Sequence, residues 1–223
     1  MKKLLYISAS PKPETESVSK QAARTFIQRL TAQVTDYQLE ELDIYTSDIP
    51  LPGHQHFDRQ SHLVTGAAYE ALSDEDKAAI DKMNQLCAQF QQADTYVISA
   101  PMWGMSFPSR LKQYFDCILL IDHLFTIDST GFHGLLNDKE RHMVYVQSSG
   151  GVYPKIFYGQ MNYAVKYCHD IFKHLGVATF SPILVQGTET PGVGRYKALE
   201  VAAQDMDDAL CHLSGPHRMP RWA

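Results

Sequence analysis

The chain has 223 residues, is 44% hydrophobic, and carries 20 Lys and Arg against 25 Asp and Glu, a net charge of -5. That is enough for one large core, and with no low-complexity linker the expectation is a single domain over residues 1–223. No basic run marks a nucleic-acid or anionic-membrane surface, no apolar run reaches membrane-spanning length, and the run after Lys3 is too short for a signal peptide, so a cytoplasmic protein is expected.

Lys3-Leu4-Leu5-Tyr6-Ile7 reads as a buried first strand. A serine-rich loop follows, Ser8-Ala9-Ser10-Pro11 through Ser17-Val18-Ser19, and then a helix whose apolar face carries Val18, Ala22, Phe26 and Leu30. Hydroxyls of Ser10, Ser17 and Ser19 at a helix N-terminus, with its free N–H groups and the positive end of its dipole, make an anion site suited to a phosphate monoester. A plain serine N-cap is the structural alternative. The loop is neither a Walker A sequence nor a Gly-x-Gly-x-x-Gly fingerprint, which favours a mononucleotide over ATP or a tightly held dinucleotide.

Residues 35–42 read as the second strand and 43–62 as a polar, proline-marked excursion. Its histidines, His54, His56 and His62, have no metal-ligand spacing and are expected as surface residues or contacts to a partner subunit. Ser73-Asp74-Glu75-Asp76 resembles a capping box and opens a helix through Ile80, Met83, Leu86, Cys87 and Phe90. The third strand, 95–100, runs into Pro101-Met102-Trp103-Gly104-Met105, and Pro108 then starts a helix reaching residue 121. A sulfur- and aromatic-rich turn at the carboxyl end of a parallel strand is a seat for a planar ligand. Core filling by Met102, Trp103, Met105 and Phe107 is the alternative.

Residues 122–136, with Phe125, Ile127 and Phe132, form a hairpin-like excursion before strand four, read as an interface or a cover over the ligand. Strand four, 142–147, leads into Ser148-Ser149-Gly150-Gly151, where adjacent glycines let backbone N–H groups approach a ligand and serines add donors. A helix over 161–175, a fifth strand over 179–186 and a closing helix over 196–213 complete the alternation. It predicts an α/β, doubly wound, five-stranded parallel sheet of order 2-1-3-4-5 whose three loops form one crevice. Cys87, Cys117, Cys168 and Cys211 are far apart, fall in helix-like segments and are expected as buried, reduced thiols. His217-Arg218-Met219-Pro220-Arg221 reads as a frayed terminus.

Taken together, the Ser10 to Ser19 loop, Pro101-Met102-Trp103, Phe107-Pro108 with Leu111-Lys112, and Ser148 to Gly151 resemble the FMN-dependent NADH-azoreductases, flavodoxin-like enzymes related to the quinone reductases. The resemblance implies that Ser10, Ser17, Val18 and Ser19 bind the FMN phosphate. It also implies that Pro101 to Met105 and Ser148 to Gly151 flank the isoalloxazine, with no separate catalytic side chain because the flavin carries the chemistry. NADH or NADPH would reduce the flavin, and quinones, azo compounds or nitroaromatics would then take its electrons in a ping-pong cycle, in a homodimer whose pocket the second subunit completes. Where that family commonly has Asn after the Met-aromatic pair, this chain has Gly104, so a side-chain amide is missing beside the flavin. Two other readings remain open: a flavodoxin-like FMN electron carrier, against which the long 43–72 and 122–136 excursions argue, and a non-catalytic module.

Overall fold

The computed structural model describes residues 1–153 and 161–214; the basic tail lies outside them. In chain order the elements are β1 (Lys2–Ser8), α1 (Val18–Gln33), β2 (Tyr37–Asp43), a 3-10 turn (His54–His56), β3 (Phe57–Arg59), β4 (His62–Leu63), α2 (Gly66–Glu70) and α3 (Asp74–Gln92). There follow β5 (Thr95–Pro101), α4 (Ser109–Ile118), β6 (Phe125–Asp128), β7 (Gly131–Gly134), β8 (His142–Ser149), α5 (Tyr163–Leu175), β9 (Thr179–Gln186) and α6 (Gly194–Ser214).

Near-continuous apolar strands need cover on both faces, and amphipathic helices supply it. The five long strands pair in parallel in the order β2-β1-β5-β8-β9, which is the expected 2-1-3-4-5. Alternate residues go to opposite layers. Leu5, Ile7, Tyr96, Ile98, Met143 and Tyr145 join the core formed with α3, α4 and α5, while Leu4, Tyr6, Val97, Val144 and Val146 pack with α1 and α6. All five strands run the same way, so the loops after β1, β5, β8 and β9 gather at one edge.

The 43–62 segment is more ordered than its composition predicts. It holds the 3-10 turn and most of a short β3–β4 hairpin, and it buries Ile44, Ile49 and His56, with Leu63 and Val64 just beyond. Its apolar residues follow neither a period of 2 nor of 3.6, which is why no element was legible there. His56 is not a surface residue. Its Nδ1 accepts from the Gly53 N–H at 3.0 Å, so the protonated Nε2 donates to Asp76 Oδ1 at 3.0 Å and ties the segment to the start of α3. Ser73 Oγ accepts the Asp76 N–H at 3.1 Å as an N-cap. Hydrogen bonds from Ser73, Gln55 and His56 hold the Asp76 carboxyl down at about 2.

Three other expectations are corrected. The helix α4 ends at Ile118 and gives way to a turn in which Asp122 has φ 65, so residues 119–121 lie outside it. In the β6–β7 hairpin, Phe125 is buried and stacks on Phe132 at 4.8 Å, leaving Ile127 and Phe132 as the exposed apolar residues. Cys211 is exposed on α6, whereas Cys87, Cys117 and Cys168 are buried and burial pushes the Cys87 and Cys117 thiols up to about 12. At the sheet edge opposite the loop cluster, buried Arg141 donates to the carbonyls of Gln91 at 2.6 Å, Ala93 at 3.2 Å and Leu136 at 3.0 Å. It thereby closes the C-terminus of α3.

Candidate active site

The serine loop after β1 folds back onto the first turn of α1. Ser17 is the N-cap, with its Oγ 3.4 Å from the Lys20 N–H and 3.3 Å from Ser19 Oγ. Ser10, Ser17 and Ser19 are all buried, and Ser10 Oγ accepts weakly from the Lys12 N–H at 3.4 Å. The Val18 side chain packs on the α1 core, and, being in the first turn of the helix, the backbone N–H groups of Val18 and Ser19 have no intrahelical acceptors. Lys20 is buried beside them and paired with Asp43 at 2.7 Å. The result is one compact set of hydroxyl and N–H donors at a helix N-terminus.

The turn after β5 has a defined geometry. Trp103 N–H donates to Ser106 O and Ser106 N–H to Trp103 O, both at 2.9 Å, around Gly104 (φ 55) and Met105 (φ 64). Positive φ at both central residues is the requirement of a type I′ turn, which glycine and asparagine meet most easily. Gly104 therefore keeps the backbone path that an Asn would take, and a Cβ there would meet open space. Trp103 is 50% exposed, so it is not core filler, while Phe107 is, packing edge-on against Phe115 and Tyr167.

The third loop is tied by its carbonyls to the turn after β5 and to the segment after β9. Ser148 O accepts from Met102 N–H at 2.7 Å, Ser149 O from Thr188 N–H at 3.1 Å, Gly150 O from Glu189 N–H at 3.1 Å, and Gly151 O from Gly187 N–H at 3.0 Å. The Ser149 hydroxyl donates inward to Gly151 O at 2.8 Å. With every carbonyl engaged, the N–H groups of Gly150 and Gly151 make no hydrogen bond among the described residues. Buried Gln147, just before this loop, accepts from Asn162 Nδ2 at 2.5 Å, and Asn162 caps α5. The segment after β9 was missed in the sequence reading, although Gly187, Gly192 and Gly194, all with positive φ, were its signal.

Residues 2–210 match a family model described as a flavodoxin-like fold. The chain belongs to that family. It is 44% identical over 210 residues to "FMN-dependent NADH:quinone oxidoreductase 1" of Clostridium acetobutylicum, covering 94% of this flavodoxin-like chain and 95% of the relative. Over 207 residues it is 40% identical to the FMN-dependent NADH:quinone oxidoreductase of Ruminiclostridium cellulolyticum, covering 93% and 97%. Among solved structures it is similar to an FMN-dependent NADH-azoreductase from Bacillus anthracis in complex with FMN, with a TM-score of 0.82, 27% identity, and coverage of 96% of this chain and 100% of that one.

The residues present fit FMN. A phosphate monoester needs several donors at one point, and buried hydroxyls with free N–H groups at the α1 N-terminus provide them. A flat ring with carbonyl edges needs donors that do not crowd it, and unengaged glycine N–H groups beside an aromatic turn provide those. Among the described residues no group of three or more His, Cys, Asp or Glu is placed to hold a metal ion.

Proposed function

We propose that this protein is a single-domain, FMN-dependent oxidoreductase that takes a hydride from NADH and passes two electrons to quinones and azo compounds in a ping-pong cycle. Supporting the reading, two relatives at 40% identity or more are named FMN-dependent NADH:quinone oxidoreductases, and the FMN complex with the same fold is named an azoreductase. The observation that carries it is the arrangement of the 148–151 loop, whose carbonyls are all occupied while Gly150 and Gly151 keep their N–H groups for a ligand.

When bound, FMN would supply hydride acceptance at its ring and two-electron transfer to the second substrate. The residues of this chain do the rest. Ser10, Ser17, Ser19 and the Val18 N–H fix the phosphate, and the 101–105 turn and the 148–151 loop grip the ring. Gly150 and Gly151 N–H groups stabilise the negative charge that reduction puts on it. Exposed Trp103 would leave one approach to the ring open, and a donor and an acceptor sharing that approach would have to bind in turn. Nitroaromatics fit the same approach.

A homodimer in the cytoplasm belongs to the same proposal. Exposed Ile127 and Phe132 on the hairpin give an apolar surface in search of cover, and grooves of about 580 and 780 Å³ meet at Phe132 and Ile171. No helix among the described residues is long and apolar enough to cross a membrane. The test is the purified protein itself. It should be yellow or turn yellow with FMN, bleach with NADH under anaerobic conditions, and recover on adding a quinone. A yellow protein that NADH does not bleach would make it a carrier, and one that never takes up FMN would leave it a module.

A further inference from the structure

The segment after β9 puts a carboxylate against the glycine that lines the crevice. Glu189 donates its N–H to Gly150 O, Thr190 Oγ1 donates to the same carbonyl at 3.0 Å, and the Glu189 side chain curls back over the Gly150 α-carbon. A Cβ built on Gly150 would lie 2.9 Å from Glu189 Oε2 and 3.2 Å from its Cδ. This carboxylate has neither a hydrogen bond nor an ion pair among the described residues. Arg195, six residues on, is committed to the Thr15 carbonyl at 3.3 Å. The crevice edge therefore carries a negative charge next to the donors that hold the ring.

On the reading that FMN occupies the crevice, we infer that Glu189 lowers the reduction potential of the bound flavin and so makes it a stronger reductant. Hydride transfer from NADH brings two electrons and one proton, releases NAD⁺, and leaves the ring with one more negative charge than before. A carboxylate held beside Gly150 by the backbone of the segment after β9 repels that added charge and acts far less on the neutral oxidised ring. Gly150 and Gly151 N–H groups act in the opposite sense, so Glu189 offsets part of their stabilisation. The consequence is chemical reach: an azo bond accepts electrons less readily than a quinone, and a more strongly reducing flavin extends turnover to it. Water and salt weaken the effect, because Glu189 is exposed and the screening length is about 10 Å at 0.1 M ionic strength.

The test measures midpoint potential and FMN affinity in the holoprotein for the parent, Glu189→Gln and Glu189→Lys. In Glu189→Gln, reduced FMN should gain about tenfold in affinity relative to oxidised FMN, a rise of about 30 mV for a two-electron couple. Glu189→Lys should rise further, and both differences should shrink at high salt. Equal potentials in all three proteins, with FMN still bound, overturn the inference. Loss of oxidised FMN from both variants overturns it too, because Glu189 would then be a holding group. If the parent itself takes up no FMN, the proposed function falls and this inference falls with it.

Discussion

The N–H of Tyr163 donates to the carbonyl of Met105 at 2.9 Å, so the first residue of α5 holds the second central residue of the turn after β5. Asn162 organises that junction: its Oδ1 accepts the Val165 N–H at 3.2 Å and its Nδ2 reaches buried Gln147. Gln147 Nε2 has no hydrogen-bond partner among the described residues, so removing Asn162 strands the whole Gln147 amide. Asn162→Ala should cost about 1–3 kcal/mol through the lost cap and the unpaired amide. FMN affinity should also fall, because the 101–105 turn loses its anchor. Urea denaturation and apoprotein titration measure the two effects, and a stability loss with unchanged FMN affinity would confine Asn162 to the fold.

The phosphate assignment predicts a ligand-dependent loss. Ser17 Oγ and Ser19 Oγ lie 3.3 Å apart at the α1 N-terminus, close enough to serve one phosphate together. Hydrogen bonds to a charged group are worth about 1.5–3 kcal/mol each. The double variant Ser17→Ala, Ser19→Ala should therefore weaken FMN binding by more than tenfold and riboflavin binding far less. Equal losses for the two ligands would remove the phosphate from this loop.

At Gly150 the space is the function. The nearest atom to an added Cβ is the tip of the flexible Glu189 side chain, which can swing aside, so a side chain here leaves the fold intact. Gly150→Val should keep its circular dichroism spectrum while FMN occupancy or the rate of NADH oxidation drops. Full flavin content with unchanged NADH oxidation would place the ring elsewhere.

The sheet and its edge of loops were legible because strongly apolar strands and helical periodicity are properties of short windows. Serines at the α1 N-terminus, the Met-Trp turn and the Gly150-Gly151 pair were legible for the same reason, each being a local cluster. Glu189, Gln147 and Asn162 were not. Each acts through a contact at long sequence separation: Gln147 with Asn162 across the 148–161 segment, and Glu189 with Gly150 through the pairing of β8 and β9. Buried Arg141 escaped notice and His56 was expected outside the core, because charged and polar residues become interior only when specific carbonyls and carboxylates are brought to them.

Arg141 offers a prediction away from the crevice. Its guanidinium serves the carbonyls of Gln91, Ala93 and Leu136 and pairs with Asp138, all with the side chain buried. Arg141→Met keeps much of the apolar stem but leaves those carbonyls without a donor. Asp138 is exposed and keeps its water, so the cost comes from the stranded carbonyls, about 1–3 kcal/mol for each one left unsatisfied. Denaturant unfolding monitored by circular dichroism checks it, and a loss under 1 kcal/mol, on the scale of an exposed ion pair, would show that water reaches the carbonyls.

The last prediction concerns the hairpin. Phe125 is buried and its replacement would disturb the fold, so the informative position is its stacking partner Phe132, which is 40% exposed and lines both adjoining grooves. An aromatic side chain left half in water is unfavourable for the isolated chain and favourable once a second copy covers it. The parent protein should sediment as a dimer at assay concentration. Phe132→Asp places a charge in the contact and should shift it to a folded monomer, with NADH oxidation falling in step with dissociation because the pocket loses the partner's contribution. A parent protein that is monomeric and fully active would instead assign the hairpin to covering its own flavin.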